Sequence, residues 1–192
     1  RALLEGVQTG TIGAAEAEVR LLEEFRQQPY EDLGFARVDH HRAVRQGFPE
    51  VVLGLGKTPA QIAEISARIA AKDAPLLVTR ASAEVWEAVR ARVPGAEYHG
   101  LARAITLRKP LPRATGTIVI ASAGTSDLPV AEEAAVTAEI MGNDVQRIYD
   151  VGVAGIHRVL AERERLAAAR VIVVVAGMEG ALPSVVAGMV SV

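Results

Sequence analysis

The residues of this sequence best suited to chemistry gather in three glycine-containing loops near its end, "ASAGTSDLP", "DVGVAG" and "AGMEGALP". In the first, the small residues Ala121 to Gly124 let backbone amides approach a ligand, and Thr125 and Ser126 add hydroxyls at the mouth of a helix. Amides at a helix start point outward with the positive end of the dipole, which suits a phosphate. The same residues also serve if Ser126 or Asp127 only caps the helix, with Pro129 near its start. The third loop echoes the first: strand, small residues, polar turn, then Leu-Pro (Leu128-Pro129 and Leu182-Pro183). Two similar turns on one sheet edge read as two walls of one pocket. Glu179 is the single acid in that third turn. It is either a helix-start carboxylate, favoured there by ~0.3–1 kcal/mol, or an acid or base held at the pocket.

The elements that must position these loops are regular. "GTIVIASAG", "DVQRIYDVG" and "RVIVVVAG" read as strands, separated by the helices "SDLPVAEEAAVTAEIMG" and "AGIHRVLAERERLAAA" and followed by a closing helix. Alternating strands and helices predict a parallel sheet with right-handed crossovers. "TIVIA" and "VIVVVA" lack alternation, as expected of strands covered on both faces. Ligands of such sheets sit beyond the carboxyl ends of the strands, where the three loops fall.

Upstream the pattern is also α/β. A first helix is expected over residues 11–27. "EVVLGLG" is a short strand, and "TPAQIAEISARIAAK" a helix with Thr58 as N-cap, Pro59 in its first turn and Gln61 completing a capping box. "PLLVTR" reads as a strand, "SAEVWEAVRARV" as a helix capped by Ser82, and "AEYHGLARAITL" as extended. "RKPLPRATG" is the best linker. The predicted division is therefore a small α/β unit at 1–113 and a nucleotide-binding unit at 114–192.

Composition narrows the function classes. The chain has 192 residues, half of them hydrophobic, and no cysteine, so disulfides and thiol chemistry within it are excluded. A net charge of −2 and a pI near 6.1 leave no electrostatic footprint for nucleic acid. No apolar run approaches the ~20 residues of a membrane helix, and no signal peptide is visible. A cytoplasmic location is expected. "GLGKT" lacks the phosphate-binding loop pattern, because Val51 stands where a glycine is required. In "VDHHR", His40 and His41 should face opposite ways on an extended segment, which opposes a metal site; a solvated charged segment is the expectation for Arg37, Arg42 and Arg45. His157 and Arg158 read as a solvated turn, and "ERER" as an exposed helix face.

The blocks "LGFARVDHHRAVRQGFPEVVLGLGKT", "AGTSDLPVAEEAAVTAEIMG", "YDVGVAGIHR" and "VVAGMEGALPSVVAG" resemble the LarB family of nickel-pincer cofactor biosynthesis, relatives of the PurE-type aminoimidazole ribonucleotide carboxylases and mutases. The resemblance runs over residues 33–192. It implies a PurE-like, flavodoxin- or Rossmann-like three-layer domain after the small α/β domain. The implied activity is carboxylation of C5 of the pyridinium ring of nicotinic acid adenine dinucleotide with CO2. Hydrolysis of the phosphoanhydride then gives pyridinium-3,5-biscarboxylic acid mononucleotide and AMP, with magnesium as the associated metal. Gly124, Thr125, Ser126 and Asp127 match the PurE-type phosphate loop G-S-x-S-D. Asp150 and Gly152 fall in the second loop and Gly177, Met178, Glu179 and Gly180 in the third. With Ser122 these form the implied substrate site, in which Glu179 and Ser126 are catalytic and Asp127 is the metal ligand.

Two departures qualify the match. PurE-type enzymes place a catalytic histidine just before the Leu-Pro of the third loop, where this sequence has Ala181. That opposes purine carboxylation, the rival enzyme reading. The LarB family also uses a cysteine thiolate, and its position lies further along the family's chain than Val192. The sequence breaks off in apolar residues without a stop signal and begins with Arg, so a longer natural chain is expected. A non-catalytic nucleotide-binding module is the rival from outside enzymology. The expected partner is a small dinucleotide, with no nucleic acid or membrane, in a homo-oligomer.

Overall fold

A computed structural model describes residues 2–26, 29–111 and 114–192. The chain opens with two helices, α1 (Ala2–Gln8) and α2 (Ala14–Arg26). The helix expected over 11–27 is thus later and shorter, and Gln27 lies outside the described residues. Thr9 and Thr11 stop α1 by donating their hydroxyls to the carbonyls of Glu5 and Gly6, and Gly10 turns the chain at φ 73°. The antiparallel pair β1 (Tyr30–Asp32) and β2 (Arg37–Asp39) leads into the short α3 (Arg42–Gln46).

Strand β3 (Val52–Leu53) is followed by α4 (Pro59–Ala71), β4 (Leu76–Thr79), α5 (Ala83–Arg90), β5 (Glu97–His99) and β6 (Ala104–Leu107). They form a four-stranded sheet of order β3-β4-β6-β5, in which only β3 and β4 are parallel. The segment expected only as extended is an antiparallel hairpin. Helix α4 has the capping box read from sequence: the Thr58 amide donates to Gln61 Oε1 at 2.9 Å, and Gln61 donates back to Thr58 Oγ1 at 3.3 Å. Ser82 likewise accepts from the Val85 amide.

The second sheet is three-stranded and wholly parallel. Strand β7 (Thr117–Ser122) lies between β8 (Asp144–Ile148) and β9 (Val171–Val175). Helix α6 (Leu128–Ile140) connects β7 to β8, α7 (Ile156–Ala161) and α8 (Arg163–Ala167) connect β8 to β9, and α9 (Ala181–Met189) closes the chain. The single helix expected over "AGIHRVLAERERLAAA" is interrupted at Glu162. Of the expected linker, Pro112 and Arg113 lie outside the described residues. No helix among the described residues is long and apolar enough to cross a membrane.

Alternation along β7 sorts the core into two faces. Val119 and Ala121 pack with Val159 of α7, Leu166 of α8 and Leu182 and Val186 of α9, while Ile120 packs with Ala131 and Ala135 of α6. The first sheet divides similarly. Leu76, Val78 and Ile105 face α4 and α5, but Leu77, Ala104 and the nearby Phe48 pack on Val136 and Ile140 of α6. The protein is therefore a stack of helices, sheet, helix, sheet and helices, with α6 as the shared middle layer. The α/β class expected from the sequence is the fold.

Removing one half of the capping box tests how far local sequence fixes the first unit. Thr58→Ala should cost ~1 kcal/mol, lowering the melting temperature by about 2–4 °C in a chain of this size. Differential scanning calorimetry on the two proteins measures it.

Candidate functional site

The topology itself selects a site. Leaving β7, the chain passes by α6 on one face to β8, then crosses by α7 and α8 on the other face to β9. The loops after β7 and β9 therefore diverge to opposite sides at the carboxyl end of the sheet, the position at which doubly wound folds bind ligands.

Backbone hydrogen bonds knit the three loops together. The Ala123 amide donates to the Val175 carbonyl at 3.0 Å, the Val151 amide to the Ser122 carbonyl at 3.0 Å, and the Gly152 amide to the Ala123 carbonyl at 2.9 Å. A Cβ on Gly152 would lie 2.9 Å from that same carbonyl oxygen, so only glycine allows the approach. The first and third loops meet through Asp127. One of its carboxylate oxygens accepts the Gly124 amide at 2.9 Å, and the other lies 3.4 Å from where a Cβ on Gly177 would stand.

Residues Thr125–Asp127 form a 3₁₀ turn, so α6 begins only at Leu128, and no side chain caps it. Asp127 folds back on its own loop instead of serving as the α6 cap. Thr125 and Ser126 are exposed, and their amides, as the first of a helical turn, have no partner within it. Ser122, expected in the substrate site, has its side chain turned inward. It is the last residue of β7, fully buried, and its hydroxyl has no hydrogen-bond partner among the described residues. Ser122 joins the site through its carbonyl.

The third loop turns tightly, with the Gly180 amide donating to the Gly177 carbonyl at 2.9 Å. Gly180 precedes α9 at φ 63°, and Met178 has φ 45°, an unusual backbone for an L-residue, with its side chain wholly exposed. Glu179 is exposed and lies two residues before α9, to which no side chain contributes a cap. Among the described residues its carboxylate makes no hydrogen bond or ion pair. In the second loop Asp150 has φ 58°, and Arg158 binds its carboxylate at 2.7 Å. The sequence reading missed this pair and took Arg158 as part of a solvated turn.

The edge of the site is braced by charge. The Tyr149 hydroxyl donates to Glu132 at 2.8 Å, and Arg147 bonds both Glu132 and Glu139. Burial and the Glu132 bond push the Tyr149 phenol far above its ordinary range. Burial works against the Glu139 charge, yet Arg147 and Arg108 hold its carboxyl below the usual value. These groups are spent on each other and position α6 on β8.

The two histidines of "VDHHR" are not on a strand. His40 lies in a turn with Nε2 3.4 Å from Glu31 Oε2, and His41 precedes α3. They border a cavity of ~310 Å³ beside Asp39 and Lys72, remote in sequence from the loop cluster. No group of three or more His, Cys, Asp or Glu among the described residues is placed to hold a metal ion. Magnesium commonly takes one or two carboxylates and completes its shell with water and substrate phosphates. The single free oxygen of Asp127 fits that limited role and no fuller one.

The chain matches the family described as "LarB/PurE-like N-terminal domain" over residues 30–109, the segment that contains the four-stranded sheet. It is also 36% identical over 204 aligned positions to an uncharacterized protein of Methanocaldococcus jannaschii, an alignment covering all of this chain and 77% of that relative. The chain belongs to the LarB family, a LarB/PurE-like lineage of carboxylase-type enzymes.

The packing of the second loop on the first gives a test. Gly152→Ala should cost about 1–3 kcal/mol through the forced separation of the two loops. Urea denaturation measures the loss; an unchanged midpoint would mean that the loops part freely.

Proposed function

We propose that the protein takes part in carboxylating C5 of the pyridinium ring of nicotinic acid adenine dinucleotide, followed by hydrolysis of the phosphoanhydride. The products are pyridinium-3,5-biscarboxylic acid mononucleotide and AMP, an intermediate and by-product of nickel-pincer cofactor synthesis. The observation that carries the reading is the meeting of the 122–127 loop with the Glu179 turn at the sheet's switch point, in a chain with Ala181 where a purine carboxylase needs histidine.

The roles follow from chemistry. A pyridinium ring is electron-poor and does not attack CO2. A thiolate adding beside C5 forms a C–S bond and moves the ring electrons into an enamine, whose C5 then bonds to CO2. A base takes the C5 proton, the C–S bond breaks, and the aromatic ring returns with the thiolate released. Glu179 is the base in this reading, because its carboxylate is exposed and uncommitted. The amides and hydroxyls of Thr125 and Ser126 hold a substrate phosphate. Asp127 would be the residue to hold magnesium, which when bound would supply charge neutralisation for a phosphoanhydride. Gly124, Gly177, Met178, Gly180, Asp150 and Gly152 complete the proposed substrate site in this reading. The sequence has no cysteine, so the thiol comes from outside these 192 residues. The protein is proposed to work in the cytoplasm as a homo-oligomer.

Three measurements bear on this. Ser126→Ala should weaken binding of nicotinic acid adenine dinucleotide by roughly 1.5–3 kcal/mol, the range for a hydrogen bond to a charged group; titration calorimetry with unchanged affinity would sink the phosphate role. In enzyme that carries the thiol, Glu179→Gln should cut AMP release ~100-fold or more while the melting temperature holds. Parallel losses of activity and stability would return Glu179 to a helix-start role. The 192-residue chain alone, given the dinucleotide, bicarbonate and magnesium, should bind but not release AMP. CO2-dependent turnover by that chain would remove the need for the thiol, and binding without turnover by every form would favour a nucleotide-binding module.

A further inference from the structure

The 122–127 loop is carried on α6, and α6 is gripped on its far side by the first sheet. Val136 and Ile140 pack there on Phe48, Leu77, Ala102 and Ala104. Arg108 pairs with Glu139 at 3.4 Å at the far end of α6, and closer to the loop an ion pair runs from Arg80 Nε to Glu133 Oε2 at 3.0 Å. The adjacent Glu132 is bound instead by Arg147 and Tyr149 of the second sheet's edge. Neighbouring carboxylates thus tie one turn of α6 to two different sheets.

The backbone that presents Arg80 is unusual. It follows the end of β4 with φ 55°, a conformation an arginine rarely adopts. Its surroundings leave little alternative. The Gly54 amide donates to the Thr79 carbonyl at 2.8 Å, and a Cβ on Gly54 would lie 2.8 Å from the Arg80 carbonyl oxygen. The Ala81 amide donates to the Arg103 carbonyl at 2.6 Å. Strain of this kind persists only where the structure over-determines it. The Arg80 side chain is 43% exposed and that of Glu133 19%, so solvent screens the pair and its attraction does not offset the strain. What the strained turn achieves is aim: it directs the guanidinium at α6.

We propose that Arg80 is a positioning residue, which through Glu133 sets α6, and with it the Thr125–Asp127 turn, against the Glu179 loop. The proposal rests on the reading of that turn as the phosphate site, and it gives the first sheet a part in substrate binding without contact to the substrate. Losing the pair should raise KM for the dinucleotide and leave kcat nearly unchanged, the pattern of lost uniform binding. Glu179→Gln should do the reverse.

The deciding experiment is amide hydrogen exchange on wild type, Arg80→Ala, Arg80→Lys and the exchanged pair Arg80→Glu with Glu133→Arg. Exchange over residues 124–130 should rise in Arg80→Ala by up to about fivefold, which is 1 kcal/mol at 25 °C. Arg80→Lys and the exchanged pair should restore it in part, with α4 and the melting temperature little changed. Unchanged exchange over 124–130 overturns the proposal. So does a rise spread over both sheets with a lowered melting temperature, because that marks Arg80 as a general stabiliser. If wild type fails to bind the dinucleotide, the substrate assignment falls, while the exchange pattern still decides the role of Arg80.

Discussion

Everything at the candidate site depends on one helix being buried from two sides. Helix α6 lies between two sheets, and each sheet needs it as a cover. Toward the second sheet it offers Ala131 and Ala135, small enough for the backbone to approach Ile120 closely. Toward the first it offers Val136 and Ile140, whose burial stabilises each contact by ~1.5–3 kcal/mol. The charged positions left over are Glu132, Glu133 and Glu139, and every one is paired to a cation or hydroxyl. A helix held on both faces and keyed along its sides has little freedom to rotate or slide. Its first turn is therefore a fixed reference for the loop in front of it.

That constraint explains how the loops can be made of small, weakly anchored residues. Their geometry comes from main-chain bonds, Ala123 to Val175, Val151 to Ser122 and Gly152 to Ala123. Side chains are thereby released from structural work, and Thr125, Ser126 and Glu179 stay exposed. Asp127 is the exception, since its bond to the Gly124 amide closes the first loop while its other oxygen meets Gly177. Positive φ at Met178 and Arg80 would cost of order 1–3 kcal/mol each, against 0–1 kcal/mol for a partly exposed ion pair. Of the non-glycine residues with positive φ, Asp150 and Met178 lie in the loop cluster and Arg80 faces the shared helix, while Asp73 and Arg103 turn the chain elsewhere in the first unit.

The second unit was largely legible because its signals are local and agree. Unalternating β-branched runs, glycine loops and Leu-Pro helix starts all point to a parallel sheet, and the capping box at Thr58 is a purely local device. The segment "AEEAAVTAEI" reads only as a helix, and its burial on two faces, alanines on one and Val136 and Ile140 on the other, emerges from the packing of the two sheets. The opening helices were misplaced because Thr9 and Thr11 stop a helix by tertiary-independent hydroxyl bonds that an apolar pattern does not register. Arg80, Arg158 and the buried side chain of Ser122 were not legible. Their meaning depends on contacts across 53 residues for Arg80 to Glu133 and on which face of β7 the last residue takes.

Position 181, where the resemblance to PurE-type enzymes implies a histidine, is alanine, and this bears on the turn before it. An imidazole at the first position of α9 would stand at the positive end of the helix dipole, where its neutral form is favoured and it can trade protons near neutral pH. Alanine removes that group and leaves Glu179 as the one ionisable side chain of the loop. Its carboxylate is exposed and makes no hydrogen bond or ion pair among the described residues, which leaves both oxygens open to a ligand. Carboxylation of an activated ring requires a proton acceptor at its final step, because the C5 proton must leave before the ring can regain aromaticity. Under the proposed function, the acid in the turn and the alanine after it leave this loop with one carboxylate and no imidazole to take that proton.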